Sequence, residues 1–119
     1  MSPGAVAHAN LERVFNERDP ARRRRAILEL YAGDAVLYEQ QASFVGVEPI
    51  IGAITHLLGS IPSNLVFVPL GAAMQNHDLA KLLWRGQLPD GTSVVTGTDV
   101  VRVEGGRIRG IHVFVDAPK

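Results

Sequence analysis

From residue 65 onward the chain is written almost entirely in two-residue alternation. Runs at 65–70, 79–88, 93–104 and 107–116 are rich in Val, Ile, Leu and Thr, and they are separated by "GAAMQNHD", "PDG" and "GG". This spacing predicts a meander of four strands, the last two joined over Gly105 and Gly106, because glycine accepts the positive φ that tight hairpin turns require. Such a sheet has one face to bury, and whatever buries it must come from the first 62 residues.

Those residues alternate between helix and strand signals. Leu11, Val14 and Phe15 share a face of a helix expected over residues 5 to 17. In "RDPARRRRAILELYAGD", Asp19 is a natural N-cap and Pro20 a natural first helical residue, with Gly33 as the expected stop. "AVLYEQ" (35–40) alternates as a strand, "QASFVG" reads as a loop, and "VEPIIGAITHLLGSI" carries Ile50, Ile51, Ile54, Leu57, Leu58 and Ile61 at helical spacing until Pro62 ends it. The expected class is α+β, with N-terminal helices packed on one face of a curved antiparallel β-sheet. A sheet curved around helices leaves a conical interior, a place where small ligands bind.

Bulk properties narrow the function classes. With 119 residues, one domain over 1–119 is expected. Twelve basic residues balance twelve acidic ones, so the basic surplus that phosphate backbones demand is missing and nucleic acid is not an expected partner. The chain has no cysteine, which excludes disulfides, thiolate zinc sites and thiol catalysis. Neither a signal peptide nor a run of ~20 apolar residues is present, so no membrane partner and a cytoplasmic location are expected. The four histidines show no metal-ligand spacing, and no metal is expected. Arg22 to Arg25 fan out at about 100° per residue and read as a solvated helix start rather than a binding stripe.

Arginines orient the strands. If Arg102 points to water, Asp99, Val101 and Val103 point inward; if Arg107 and Arg109 point out, then Ile108, Gly110, His112 and Phe114 point in. Counting two by two from the Gly-Gly turn sets Asp99 opposite His112, at the separation where a carboxylate bonds an imidazole. Asp99 and His112 are thus the expected catalytic pair, walled by Val101 and Phe114. Lys81 and Arg85 place Leu82 and Trp84 on the inner face of their strand, Trp84 flooring the cavity with an indole N–H that needs a partner such as Asp99. Phe44 is expected to cover the opening from its loop. Thr98, Val100, Ile111, Val113 and Val115 would leave an apolar outer face, and a homodimer through that face is expected.

The order of elements, with "LELYAGDAVLYEQ", "GVEPIIGAITHLL" and "GTDVVRVEGGRIRGIHVFVD", resembles the nuclear transport factor 2-like superfamily, closest to its SnoaL-like polyketide cyclase branch. The marks are Ala32 to Ala35 leading into the first strand, Gly46 to Ile50 opening the third helix, and the Gly106 to Ile108 turn. The resemblance covers nearly the whole chain. It implies a cone-shaped fold and a small domain that needs no cofactor, acting as an isomerase, cyclase or dehydratase on an apolar carbonyl-bearing molecule. Related isomerases stabilise an enolate with a tyrosine hydroxyl and a carboxylic acid, and Tyr38 is expected as a polar group in the mouth. The rival readings are a non-catalytic ligand carrier or dimeric accessory module, and a protein-binding domain using its exposed sheet.

Overall fold

A computed structural model describes residues 1–117. Helix α1 spans Pro3–Asn10, with the Ser2 hydroxyl accepting from the Ala5 N–H at its start and Pro3 at the first position, where no N–H is missed. The expected continuation to residue 17 is instead a π-helical turn, Leu11–Phe15. Asn10, Leu11, Val14 and Phe15 are all buried. Beyond it, the Asn16 amide donates to the Phe67 carbonyl at 2.7 Å and accepts from the Phe67 N–H at 2.8 Å. A side chain thereby fills the place of a neighbouring strand at a sheet edge.

Helix α2 spans Pro20–Leu30, capped by Asp19, whose carboxylate accepts from the Arg22 N–H at 2.9 Å. It ends three residues before Gly33: Tyr31 is already extended, and strand β1 (Tyr31–Glu39) follows without a loop. The loop expected after it holds β2 (Ala42–Val45), which folds back on β1. Helix α3 (Val47–Gly59) buries Ile50, Ile54 and Leu58 at helical spacing. The meander follows as β3 (Val66–Pro69), β4 (Met74–Asn76), β5 (Leu79–Gln87), β6 (Ser93–Glu104) and β7 (Arg107–Val115). The α+β reading holds. The sheet order is β2-β1-β7-β6-β5-β3, with β4 also pairing β5, and every pairing is antiparallel except β1 with β7, which makes the sheet mixed.

The core lies between the helices and one sheet face. Val6, Ile27, Leu30, Ile50, Ile54 and Leu82 are each at most 2% exposed, and burying a side chain of this kind contributes about 1.5–3 kcal/mol. Two arginines hold the helical layer together from its polar side. Arg18 donates to the carbonyls of Leu58, Pro62 and Leu65, each at 3.1 Å, fixing the connection from α3 to β3. Arg23 is buried and donates to the Glu17 carbonyl and the Thr55 hydroxyl. Arg24 pairs with Glu48 across α2 and α3, and Arg22 stays solvated beside Glu17 and Asp19.

The last hairpin departs from two-by-two counting after one step. Glu104 opposes Arg107 and Val103 opposes Ile108, but Arg102 opposes Gly110, so Arg109 is an extra residue in β7. Its guanidinium is held by both oxygens of Asp34 and by Glu104. A one-residue bulge transfers every later side chain to the other face. Ile111 and Val113 therefore turn inward while His112 and Phe114 turn outward, the reverse of the expectation. Asp99 opposes Val113, and His112 opposes Val100.

Strand β6 meets the expectation, with Asp99, Val101 and Val103 buried, and so does β5, with Leu82 and Trp84 buried. Trp84 opposes Gly97, and a Cβ at Gly97 would lie 2.3 Å from the indole Cζ2 and 2.4 Å from the Phe114 carbonyl oxygen. Neither the ring nor the paired backbone can yield that space. Gly97→Ala is expected to lower stability by about 1–3 kcal/mol or more, as overpacking does. Gly59→Ala, in α3 with open space around it, should change stability by no more than about 1 kcal/mol. Urea midpoints of the two variants check this, and equal midpoints would contradict the packing argument.

Candidate active site

Three aromatic rings build the floor of the interior. Phe67 meets Phe15 edge-on at 6.1 Å and Trp84 edge-on at 5.3 Å between centroids, so the π-helical turn, β3 and β5 are locked in one chain. The Trp84 indole N–H donates to Asp99 Oδ1 at 2.9 Å, the partner its burial demands. Beside this pair lies a cavity of about 230 Å³, walled by Phe15, Leu57, Leu65, Phe67, Val113 and Val115 among others, with Asp99 as the one ionisable group among its described lining residues. A second concavity of about 320 Å³ shares Phe15, Leu57, Val113 and Val115 with the first and reaches the ends of β1 at Glu39, Gln40 and Gln41.

The electrostatics follow from that enclosure. Asp99 is 3% exposed, and burial pushes its carboxyl up to about 7, against the opposing effect of the Trp84 hydrogen bond. Among the described residues no hydrogen bond reaches Oδ2. A carboxyl with these properties exchanges its proton near neutral pH, which an ordinary solvated aspartate does not. Behind it, the buried Tyr31 hydroxyl donates to Asn10 Oδ1 at 2.7 Å. Burial and then the nearby Asp99 charge push the Tyr31 phenol up, so it stays a proton donor. Asn10 Nδ2 is buried with no partner among the described residues.

Not all the residues expected at the site meet there. Asp99 and Trp84 do. Leu82 and Val101 are fully buried in the core and do not border the Asp99 cavity. His112 lies on the opposite sheet face, its ring stacked on Tyr38 at 4.3 Å and near Phe114 at 6.5 Å. The Asp99–His112 pair therefore does not form, and Tyr38 and Phe114, 39% and 48% exposed, are outer-face residues rather than cavity walls. Phe44 lies on β2 rather than a loop and borders a shallow recess with His56, away from Asp99. The outer face changes too: Ile111 and Val113 leave it, and His112 and Phe114 join Thr98 and Val100 there.

Asn10 and Tyr31 lie outside the sequence-predicted site, although Asn10 carries a signal in the sequence. It stands between Val6 and Val14 at four-residue steps, a polar residue in a buried helical stripe. Tyr31 sits where a helix turns directly into a strand, and no pattern announces that. Among the described residues no group of three or more potential metal-ligating side chains clusters, and no helix is long and apolar enough to cross a membrane.

Comparison with known proteins bears on the fold and the family. A search of curated proteins finds no sequence match. Among solved structures the chain is similar to a protein from Agrobacterium tumefaciens provisionally named an isomerase of the SnoaL-like family, at 28% identity over 95% of this chain and 96% of that one, with a TM-score of 0.86. A protein from Sinorhizobium meliloti, provisionally named a polyketide cyclase, shares the fold at 22% identity, 92% and 93% coverage and a TM-score of 0.71. A designed protein with a curved β-sheet shares it at 17% identity, 98% and 88% coverage and a TM-score of 0.73. The model of the SnoaL-like domain matches residues 8–111, and with the helices, the mixed sheet and the cone interior all in place, this chain belongs to the SnoaL-like domain family.

Proposed function

We propose that the protein is a cofactor-independent enzyme of the isomerase or cyclase type in which Asp99, without a histidine partner, moves a proton on an apolar carbonyl-bearing molecule. The observation that carries this reading is a buried carboxyl with a raised pKa, fixed by Trp84 at the wall of an apolar cavity. A general base works best when its pKa lies near the operating pH. One oxygen is held by the indole, and the other is the natural acceptor for a proton on carbon next to a carbonyl. Apolar walls keep water from the carboxylate, and returning the proton to another carbon gives isomerisation or ring closure. Trp84 acts as a positioning residue and, with Phe15 and Phe67, as contact surface.

Deuterium incorporation from D2O into cyclic enones and aromatic ketones, followed by NMR, tests the chemistry without knowledge of the natural substrate. Exchange is expected to rise with pH through a single ionisation near 7, and Asp99→Asn should lose about 10²–10⁴-fold in rate. Exchange retained in Asp99→Asn would rule out the role given to Asp99.

The same ionisation must appear in stability. Because the folded-state pKa lies above the unfolded value, the protonated form is the better folded one. The contribution of Asp99 to stability is full below pH ~4 and falls as pH rises to about 7, by up to about 4 kcal/mol for a shift of this size. Asp99→Asn should match the wild type at pH 4 and exceed it at pH 8 in urea denaturation; parallel stabilities across that range would mean the carboxyl is not titrating in the interior.

The accessory-module reading keeps one observation in its favour: among the described residues that wall the Asp99 cavity, no second acid–base group is present. Absence of exchange on every ketone tried, with ligand binding intact, would select it. For quaternary structure, Tyr38, Leu83 and Phe114 leave exposed apolar area on the outer sheet face, which supports a homodimer through that face. Sedimentation should give a dimer for the wild type and a monomer for Leu83→Glu/Phe114→Glu; a wild-type monomer at micromolar concentration would end this idea. A cytoplasmic location fits a chain with no cysteine.

A further inference from the structure

The charge around the opening of the cone is one-sided although the chain as a whole is neutral. The Asp99 cavity, the concavity above it and the shallow recess beside that share walls, and their described lining residues include two carboxylates, Asp99 and Glu39, one histidine, His56, and no arginine or lysine. Glu39 is the last residue of β1 and follows Leu37 on the inward-facing side of that strand, so it stands at the rim above the apolar wall that Leu37 helps to form. Among the described residues it takes part in no ion pair, whereas Asp34, Glu29, Glu48 and Glu104 all have arginine partners. The rim also contains Ser60, the C-cap of α3, whose hydroxyl donates to the Leu57 carbonyl at 2.7 Å while Arg18 takes the Leu58 carbonyl, so the end of the helix adds no free negative charge. The Val115 N–H donates to Gln40 Oε1 at 3.0 Å and ties the ends of β1 and β7 together beside Glu39.

We propose that Glu39 is a specificity residue that selects ligands with a cationic or hydrogen-bond-donating polar end and rejects anionic ones. The proposal rests on the reading of the cone as a ligand cavity and adds the chemical class of what enters it: an elongated molecule, apolar where it meets Phe15, Leu57 and Val113, with an amine or hydroxyl at the rim. A carboxylate or phosphate in the same place would face Glu39 and, deeper, Asp99, with no described arginine or lysine among the lining residues to compensate.

The chain has a single tryptophan, and it lies in the cavity wall beside Asp99, so its fluorescence reports entry. Three probes of one skeleton, 4-phenylbutylamine, 4-phenylbutan-1-ol and 4-phenylbutyrate, are titrated at pH 7.5 into the wild type, Asp99→Asn, Glu39→Gln and the double variant. The amine is expected to bind about tenfold more tightly than the carboxylate. That ratio should persist in Asp99→Asn, which removes the deep charge, and fall to within about twofold in Glu39→Gln and in the double variant. Equal binding of amine and carboxylate, or a preference that survives Glu39→Gln, overturns the selectivity while leaving the cavity reading intact. Failure of all three probes to perturb Trp84 overturns the cavity reading and the selectivity with it. Glu39 is exposed at a strand end, and unchanged urea midpoints for its variant confirm that the comparison is made on folded protein.

Discussion

A carboxyl buried in an apolar interior must be held by a donor or shed its charge, and in this molecule both occur at Asp99. The Trp84 N–H is the donor, and it can reach Oδ1 because Gly97, opposite Trp84, leaves room for the indole to lie flat across the neighbouring strand. The ring in turn leans on Phe67, and Phe67 on Phe15 of the π-helical turn. Removing the indole would leave a buried carboxyl without a partner and an aromatic chain without its end, a combined loss of several kcal/mol. The geometry that holds the carboxyl is therefore the geometry that closes the core.

The cavity exists because the helices do not fill the cone to its mouth. Leu57, Leu65, Val113 and Val115 leave space above the aromatic floor, and that space opens past Glu39 and Gln41. In a purely structural version of the fold, nothing would prevent that volume from being filled by larger side chains and Asp99 from being replaced by an apolar residue of similar size. Such a replacement would gain stability above pH 7. Retaining a costly carboxyl beside open space is the physical ground for reading the site as functional.

Most of the architecture was legible in the chain. The helix start at Asp19, the stripe Ile50–Ile54–Leu58 and the inward faces of β5 and β6 follow from caps and periodicity, whereas the start of α1 at Ser2 lies earlier than its apolar spacing suggests. The first strand was legible in kind, but its start at Tyr31 was not, because Gly33 reads as a helix stop and tertiary pairing with β7 extends the strand back past it. The Asp99–Trp84 contact was foreseeable from burial alone. The Asp99–His112 pair failed at one residue. Arg109 looked like another outward marker, and only its engagement by Asp34 on β1 and Glu104 on β6 shows why the chain accommodates an extra residue there. A hint was present in the sequence: the apolar set Ile111, Val113, Val115 makes a better inner face than a set containing His112.

Local physics in the sequence thus determined most of the elements, the inward-facing Asp99 and its indole partner, since caps, turn glycines and strand alternation act over a few residues. The tertiary structure decided which residues share the cavity. A bulge at Arg109 depends on charges 75 residues away in the chain, the floor depends on contacts between Phe15, Phe67 and Trp84, and the rim charge depends on where β1 ends against α3. Each of these is set by packing between distant segments, for which one-dimensional periodicity carries no information.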